Sequence, residues 1–185
     1  MKIISGLQTG IDELALSTAY VVGLETGGTC PINCIQEGNS PAYSAADLYK
    51  VVPITPEQIE EYKQRFPCPW GKYSETQLLY LPRTWMNVKN SDATLYFNFG
   101  ETDSRGLQAT QRLAKAEGKP FWLFEKDFST VEDLQRKIRQ KNITILNIAG
   151  NRFSSLKSPE AFKWMYERVL PFLSEALRRL KPITL

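Results

Sequence analysis

The chain opens on Lys2-Ile3-Ile4-Ser5-Gly6-Leu7-Gln8-Thr9-Gly10-Ile11-Asp12, and these residues decide the fold. The first apolar run is too short for a helix and suits a buried strand. Beyond the glycines, Ile11, Leu14, Ala15, Thr18, Ala19 and Val22 recur at helical spacing. The pattern is strand, glycine turn, helix. Glycine lets the backbone turn sharply and lets a ligand approach it. The first amides of the new helix lack intrahelical acceptors, and the helix dipole favours anions there. Residues 6 to 12 therefore read as a phosphate-binding loop, with a plain strand-to-helix turn as the alternative. No lysine follows Gly10, so this is not a Walker loop, and Gly6-x-x-x-Gly10 does not fit the dinucleotide G-x-G-x-x-G pattern.

A chain of 185 residues with 42% hydrophobic and 23% charged content fits one globular domain with a substantial core. The net charge of +3 is mild, and the only dense basic run, Arg178-Arg179-Leu180-Lys181, sits at a helix end where cations suit the dipole. Composition thus argues against nucleic acid as a partner. No apolar stretch approaches membrane-spanning length, so no membrane partner is expected. The odd cysteine count (Cys30, Cys34, Cys68) and the lack of a secretion signal point to a reducing compartment, the cytoplasm. Histidine is absent, which removes the commonest general base and a common metal ligand. Cys30-x-x-x-Cys34 lacks the second ligand pair of a zinc site, so no metal site is assigned.

Residues 12 to 23 read as the first helix, and Glu25 to Pro31 as a short strand or turn with a glycine corner at Gly27-Gly28. Residues 32 to 53 read as polar and irregular, either a loop over a ligand site or surface decoration. Thr55-Pro56-Glu57-Gln58 carries a capping box and starts a helix to about Arg65. The segment 66 to 86 holds Phe66, Trp70, Tyr73, Tyr80 and Trp85 among prolines without clear periodicity. It reads as an insertion, near 62 to 82, packed on a second subunit or on its own. Strands follow at Ala93 to Phe99, Pro120 to Phe124 and Ile143 to Ile148. Helices are expected over 107 to 117, after the capping box Ser129-x-x-Glu132, and from Ser158-Pro159, with a kink at Pro171. Apolar strands linked by helices predict an α/β, Rossmann-like parallel sheet with helices on both faces, in a single domain over residues 1 to 185. Such sheets bind ligands beyond the carboxyl ends of their strands. The loops at 6 to 12, 27 to 31, 99 to 106 and 147 to 152 should lie there.

Several motifs also match a known family in order. Ile4-Ser5-Gly6-Leu7-Gln8-Thr9-Gly10-Ile11-Asp12 resembles the ISGGQTGxD opening of the molybdenum cofactor carrier family, and Gly27-Gly28-Thr29-Cys30-Pro31 its GGWCP. Arg83-Thr84-x-x-Asn87-Val88-x-x-Ser91-Asp92-Ala93-Thr94 resembles RTxxNVxxSDAT, and Leu146-Asn147-Ile148-Ala149-Gly150-x-Arg152 resembles LNVAGPR. That family belongs to a Rossmann-like group that includes lonely-guy phosphoribohydrolases and DNA-processing proteins. The resemblance implies a site for a phosphate-bearing, nucleotide-like ligand and a homo-oligomer, dimer or tetramer. The ligand shell carried over by matched position comprises Gly6, Gln8, Thr9, Gly10, Asn87, Asp92, Asn147, Gly150 and Arg152, with Gly106 a looser match, and Leu7, Gly28 and Arg105 in the same loops join them as candidate ligand-binding residues. The chain departs from the family at Leu7, where the pattern has a second glycine, and at Ile32-Asn33-Cys34-Ile35, where it has lysine and arginine.

Two functions follow as expectations. One is a protein that binds, carries or sequesters a molybdopterin-type or nucleotide-type molecule, such as an ADP-ribose derivative, without chemistry. The other is an N-glycosidic nucleotide hydrolase, with Glu101 and Arg105 as its catalytic pair.

Overall fold

The computed structural model describes residues 1–36, 41–69, 71–100 and 104–181. Its strands are β1 (Lys2–Ile4), β2 (Glu25–Cys30), β3 (Val51–Pro53), β4 (Ala93–Phe97), β5 (Phe121–Leu123) and β6 (Ile145–Gly150). Its helices are α1 (Ile11–Val21), α2 (Tyr43–Tyr49), α3 (Pro56–Arg65), α4 (Glu75–Lys89), α5 (Arg105–Ala116), α6 (Val131–Gln140), α7 (Pro159–Trp164) and α8 (Leu170–Leu180). The strands form one sheet in the order β3-β2-β1-β6-β4-β5, and every pairing is parallel. This is the expected α/β Rossmann-like arrangement.

Alternation along the strands separates two cores. Ile3, Leu95, Leu146 and Ile148 face α1, α6 and α8 in the larger core, which Phe97, Phe124 and Phe172 knit together by ring contacts. On the other side α3, α4 and α5 enclose Tyr62, Trp85, Met86, Val88 and Leu113. Beneath α4 the layer is polar. Asn87 Nδ2 donates to the Thr29 carbonyl at 2.9 Å and its Oδ1 accepts from the Thr29 amide at 2.8 Å, which braces α4 to β2. Asn147 Nδ2 donates to Thr94 Oγ1 at 3.1 Å between β6 and β4.

The sheet order is not the plain Rossmann sequence. The last strand, β6, lies in the middle, between β1 and β4. Numbered from β4 through β6 and on into β1, the strands read 2-1-3-4-5-6 across the sheet. That is the flavodoxin-like doubly wound order, whose switch point falls between its first and third strands. Here those strands are β4 and β6.

Two segments differ from the sequence expectation. Residues 32 to 53 are not irregular throughout: they include a short 3-10 turn at Ile32–Cys34, then α2 and the edge strand β3. In the other segment, residues 75 to 86 belong to the 15-residue helix α4, opened by a reciprocal capping box between Ser74 and Gln77. Pro82 inside α4 removes an amide and obscures the helical pattern. Most aromatics of that stretch are committed within the chain: Tyr62 stacks near Phe66, Tyr73 and Trp85 with centroids 5.2, 5.7 and 5.9 Å away. Trp70 lies outside the described residues. Smaller differences are the α6 cap, which is Thr130 rather than Ser129, and a π turn at Met165–Val169 that accommodates the proline expected to kink the last helix.

Candidate functional site

The loop after β1 is built around a buried ion pair. Arg83 of α4 reaches Asp12 in the first turn of α1, with Nη1 to Oδ2 at 3.1 Å and side chains 10% and 5% exposed. Gly6 makes room for it, because a Cβ there would lie 1.7 Å from Arg83 Nη1. Burial, the dominant influence, raises the Asp12 carboxyl above the usual carboxylate range; Arg83 and backbone hydrogen bonds at Gln8 and Gly150 pull it partly back. The carboxylate is thus spoken for by fixed donors, and it ties α1, α4, the loop after β1 and the end of β6 into one support.

Above this support opens a cleft of ≈ 910 Å³ at the carboxyl ends of β1, β4 and β6. Its volume falls within the range of small-molecule sites. Gln8 forms part of the floor, and its Nε2 donates to the Ile35 carbonyl at 3.0 Å. The walls include Tyr80 and Arg83 of α4, Tyr96 of β4, Arg105, Gly106 and Arg112 of α5, Gly150 at the end of β6 and Arg152 just after it. The Arg152 guanidinium lies over the Tyr80 ring, 4.1 Å from its centroid, a cation–π contact that fixes a long side chain. Burial pushes the Tyr96 phenol up to about 12, so it stays protonated beside Ser104 Oγ at 3.5 Å. Ser104 caps α5 by accepting the Leu107 amide at 3.1 Å, which aims the start of that helix at the cleft. Among the described lining residues Asp12 is the only carboxylate, against Arg83, Arg105, Arg112 and Arg152. The cleft is therefore suited to an anion.

The structure brings Gln8, Arg105, Gly106, Gly150 and Arg152 to this cleft together. The other expected residues serve its frame. Gly10, with φ 95°, lies against the chain after β6, where a Cβ would meet the Asn151 carbonyl oxygen at 2.6 Å. Thr9 accepts the Phe153 amide at 3.1 Å. A Cβ on Gly28 would fall 2.1 Å from the Ser5 carbonyl oxygen, so this glycine lets β2 approach β1. Leu7 holds a left-handed φ of 57° where the family pattern has glycine, and its side chain is buried with Leu16, Cys30, Cys34 and Val51. Asn87 and Asn147 spend their amides inside the fold, as described above. Asp92 stands at the amino end of the sheet, opposite the cleft. Its Oδ2 accepts from the Thr144 amide, Thr144 Oγ1 and the Ile145 amide, each at 2.8 Å. Burial works to raise its carboxyl, but these hydrogen bonds outweigh it and hold it below the usual range. Glu101 lies outside the described residues.

Tyr80, Tyr96, Arg83 and Arg112 were not singled out from sequence. Arg83 stood inside a quoted motif, and Tyr80 among the aromatics assigned to an insertion. The missing signal was the helix: once Ser74 and Gln77 are read as a capping box, Tyr80 and Arg83 fall three residues apart on one face of α4.

Fold and cleft define a doubly wound α/β protein with a cationic pocket at its switch point. The chain belongs to the circularly permutated YpsA SLOG family, whose model matches residues 71–170. The permutation in that description agrees with the strand order numbered from β4. No curated protein matches the chain. Among solved structures it is similar to a protein of Syntrophus aciditrophicus described as a molybdenum carrier, with 27% identity over 95% of this chain and 93% of that one, and a TM-score of 0.65.

Proposed function

We propose that the protein binds a phosphate-bearing, nucleotide-like small molecule in this cleft and holds it chemically intact, as a carrier or sequestering protein. The observation that carries this reading is the charge of the cleft: its one described carboxylate is already paired, while Arg105, Arg112 and Arg152 form no ion pair among the described residues. Guanidinium groups suit phosphate, which they meet as a planar fork. Tyr80, half-buried at the wall, offers aromatic surface for a heterocycle. The family membership and the Syntrophus aciditrophicus neighbour support a ligand of this kind, so a molybdopterin is one candidate and a nucleotide or ADP-ribose type the other. Among the described residues there is no group of three or more His, Cys, Asp and Glu suited to a metal. A metal-bearing cargo would be held through its phosphate and rings.

The test is mass spectrometry of small molecules released by denaturing the purified protein. The reading expects an intact phosphate-bearing heterocycle. Arg152→Ala should retain less of it, with an affinity at least about tenfold weaker, since a hydrogen bond to a charged group contributes roughly 1.5–3 kcal/mol. Recovery of a free base and a sugar phosphate from an added nucleotide would overturn the carrier reading in favour of an N-glycosidic hydrolase.

A further inference from the structure

The cleft floor is tied to a pair of thiols. Cys30 ends β2 and Cys34 closes the 3-10 turn that follows. Both are buried, at 1% and 2% exposure, and their sulfurs lie 3.0 Å apart in a thiol–thiol hydrogen bond. Cys30 is fixed, because its strand pairs with β3 and its carbonyl accepts the Ile54 amide at 2.9 Å. Cys34 is held by its turn, its amide donating to the Pro31 carbonyl at 2.9 Å and its carbonyl accepting the Ala42 amide at 3.1 Å, but it lies outside the sheet. Asn33 and Cys34 hold left-handed φ values of 59° and 50° in succession. The left-handed region costs Cys34 roughly 1–2 kcal/mol, and less for Asn33, whose short polar side chain tolerates it. The residues just beyond reach directly to the opening loop: the Ile35 carbonyl accepts Gln8 Nε2 at 3.0 Å, and Gln36 Nε2 donates to the Leu7 carbonyl at 2.7 Å.

We propose that Cys30 and Cys34 form a reversible disulfide on exposure to a hydroperoxide, and that the bond moves the Leu7–Gln8 floor of the cleft through Ile35 and Gln36. Peroxide oxidises one thiol to a sulfenic acid and releases water. The second thiol attacks that sulfur, and the hydroxyl leaves as a second water. Two thiols thus give up two electrons to one peroxide. Burial and the hydrogen bond to Cys34 push the Cys30 thiol up, so Cys34 is the thiol oxidised first, and hydrogen peroxide, little larger than water, is small enough to reach it. The sulfurs must approach from 3.0 Å to the bonded distance of about 2.05 Å, and strained Cys34 is the partner that travels. Reduced thiol or dithiothreitol reverses the step by exchange.

The experiment uses a Cys68→Ser protein, so that this pair holds the only cysteines of the chain. It needs no ligand and is therefore independent of the carrier reading. After hydrogen peroxide, denaturation and alkylation, the expected protein is about 2 Da lighter and unalkylated, and is restored by dithiothreitol. Backbone amide exchange over residues 6 to 13 should become at least about threefold faster in the oxidised form. Adding Cys34→Ser should abolish both effects. Two alkylated thiols after peroxide, irreversible sulfinic acid without a disulfide, or a disulfide that leaves exchange over residues 6 to 13 unchanged would each overturn the proposal.

Discussion

Replacing Gly6 by alanine tests whether the buried pair holds the site together. The new Cβ would lie 1.7 Å from Arg83 Nη1, 2.6 Å from its Cζ and 2.8 Å from Asp12 Oδ2. Ordinary contact begins near 3.4 Å, so the guanidinium must retreat by more than an ångström. An exposed arginine would swing into water. Arg83 is 9% exposed and lies between α4 and the sheet, and its Nε is already without a hydrogen-bond partner. Retreat means parting from Asp12 while both charges stay buried. Breaking a buried pair costs about 3–5 kcal/mol, against a total stability of about 5–15 kcal/mol for a protein of this kind. Urea unfolding followed by circular dichroism at pH 7 should register that loss as a lower midpoint with unchanged slope. The cause is isolated by repeating Gly6→Ala in an Arg83→Ala background, where the clashing guanidinium is gone. There the alanine should cost clearly less, because only the contact with Asp12 Oδ2 at 2.8 Å remains and that side chain no longer has a partner to hold it. A Gly6→Ala protein as stable as wild type, or an equal cost in both backgrounds, would refute the reasoning.

Other substitutions separate frame from site. Gly10→Ala should destabilise the fold by about 2 kcal/mol in urea, because its φ of 95° and the Asn151 carbonyl leave no place for a Cβ; unchanged stability would return Gly10 to a role in ligand approach. Asn87→Ala should cost about 2 kcal/mol in the same measurement, since it leaves both polar groups of Thr29 unpaired beneath α4. Asp92→Asn should lower stability at neutral pH and leave ligand content unchanged. Because the folded-state carboxyl is depressed, its contribution is present above the unfolded value of 3.8 and is lost as pH falls through the lower folded value. Wild type and variant should therefore converge in acid, and a gap that persists there would exclude the carboxylate as its cause.

The elements legible in sequence were those with one dominant pattern. β1, β4 and β6 are short apolar runs, and α1, α5 and α6 carry periodic apolar faces. Helix α4 hid because it serves three environments at once: Trp85 enters a core, Tyr80 faces the cleft and Asn87 braces a strand. Pro82 then broke what pattern remained. Strand β3 hid because Val51-Val52-Pro53 is only three residues, the last a proline, directly after a left-handed Lys50. At the site, Gln8, Gly150 and Arg152 could be found because glycine-bounded loops after strands mark the ligand end of such a sheet. The Arg83–Asp12 pair could not, since its members are 71 residues apart and isolated charges read as solvated. Polar side chains that brace the fold, such as buried Asn147 and half-buried Asp92, look no different in sequence from ones that would meet a ligand.

The central position of β6 also sets the order in which the molecule can be completed. Ile4 pairs with Asn147, and a ribosome adding about 5–20 residues per second needs on the order of 10 s to make the chain between them. Through that interval β1 has β2 on one side and an open hydrogen-bonding edge on the other, and β4 is open on the flank that β6 will fill. Open edges are templates for pairing with other chains. Arg152 and the β6 wall of the cleft arrive with the same strand that closes both edges. Nascent chains that stop short of β6 therefore lack that wall of the cleft and expose two open strand edges, so one strand both seals the sheet and completes the cleft.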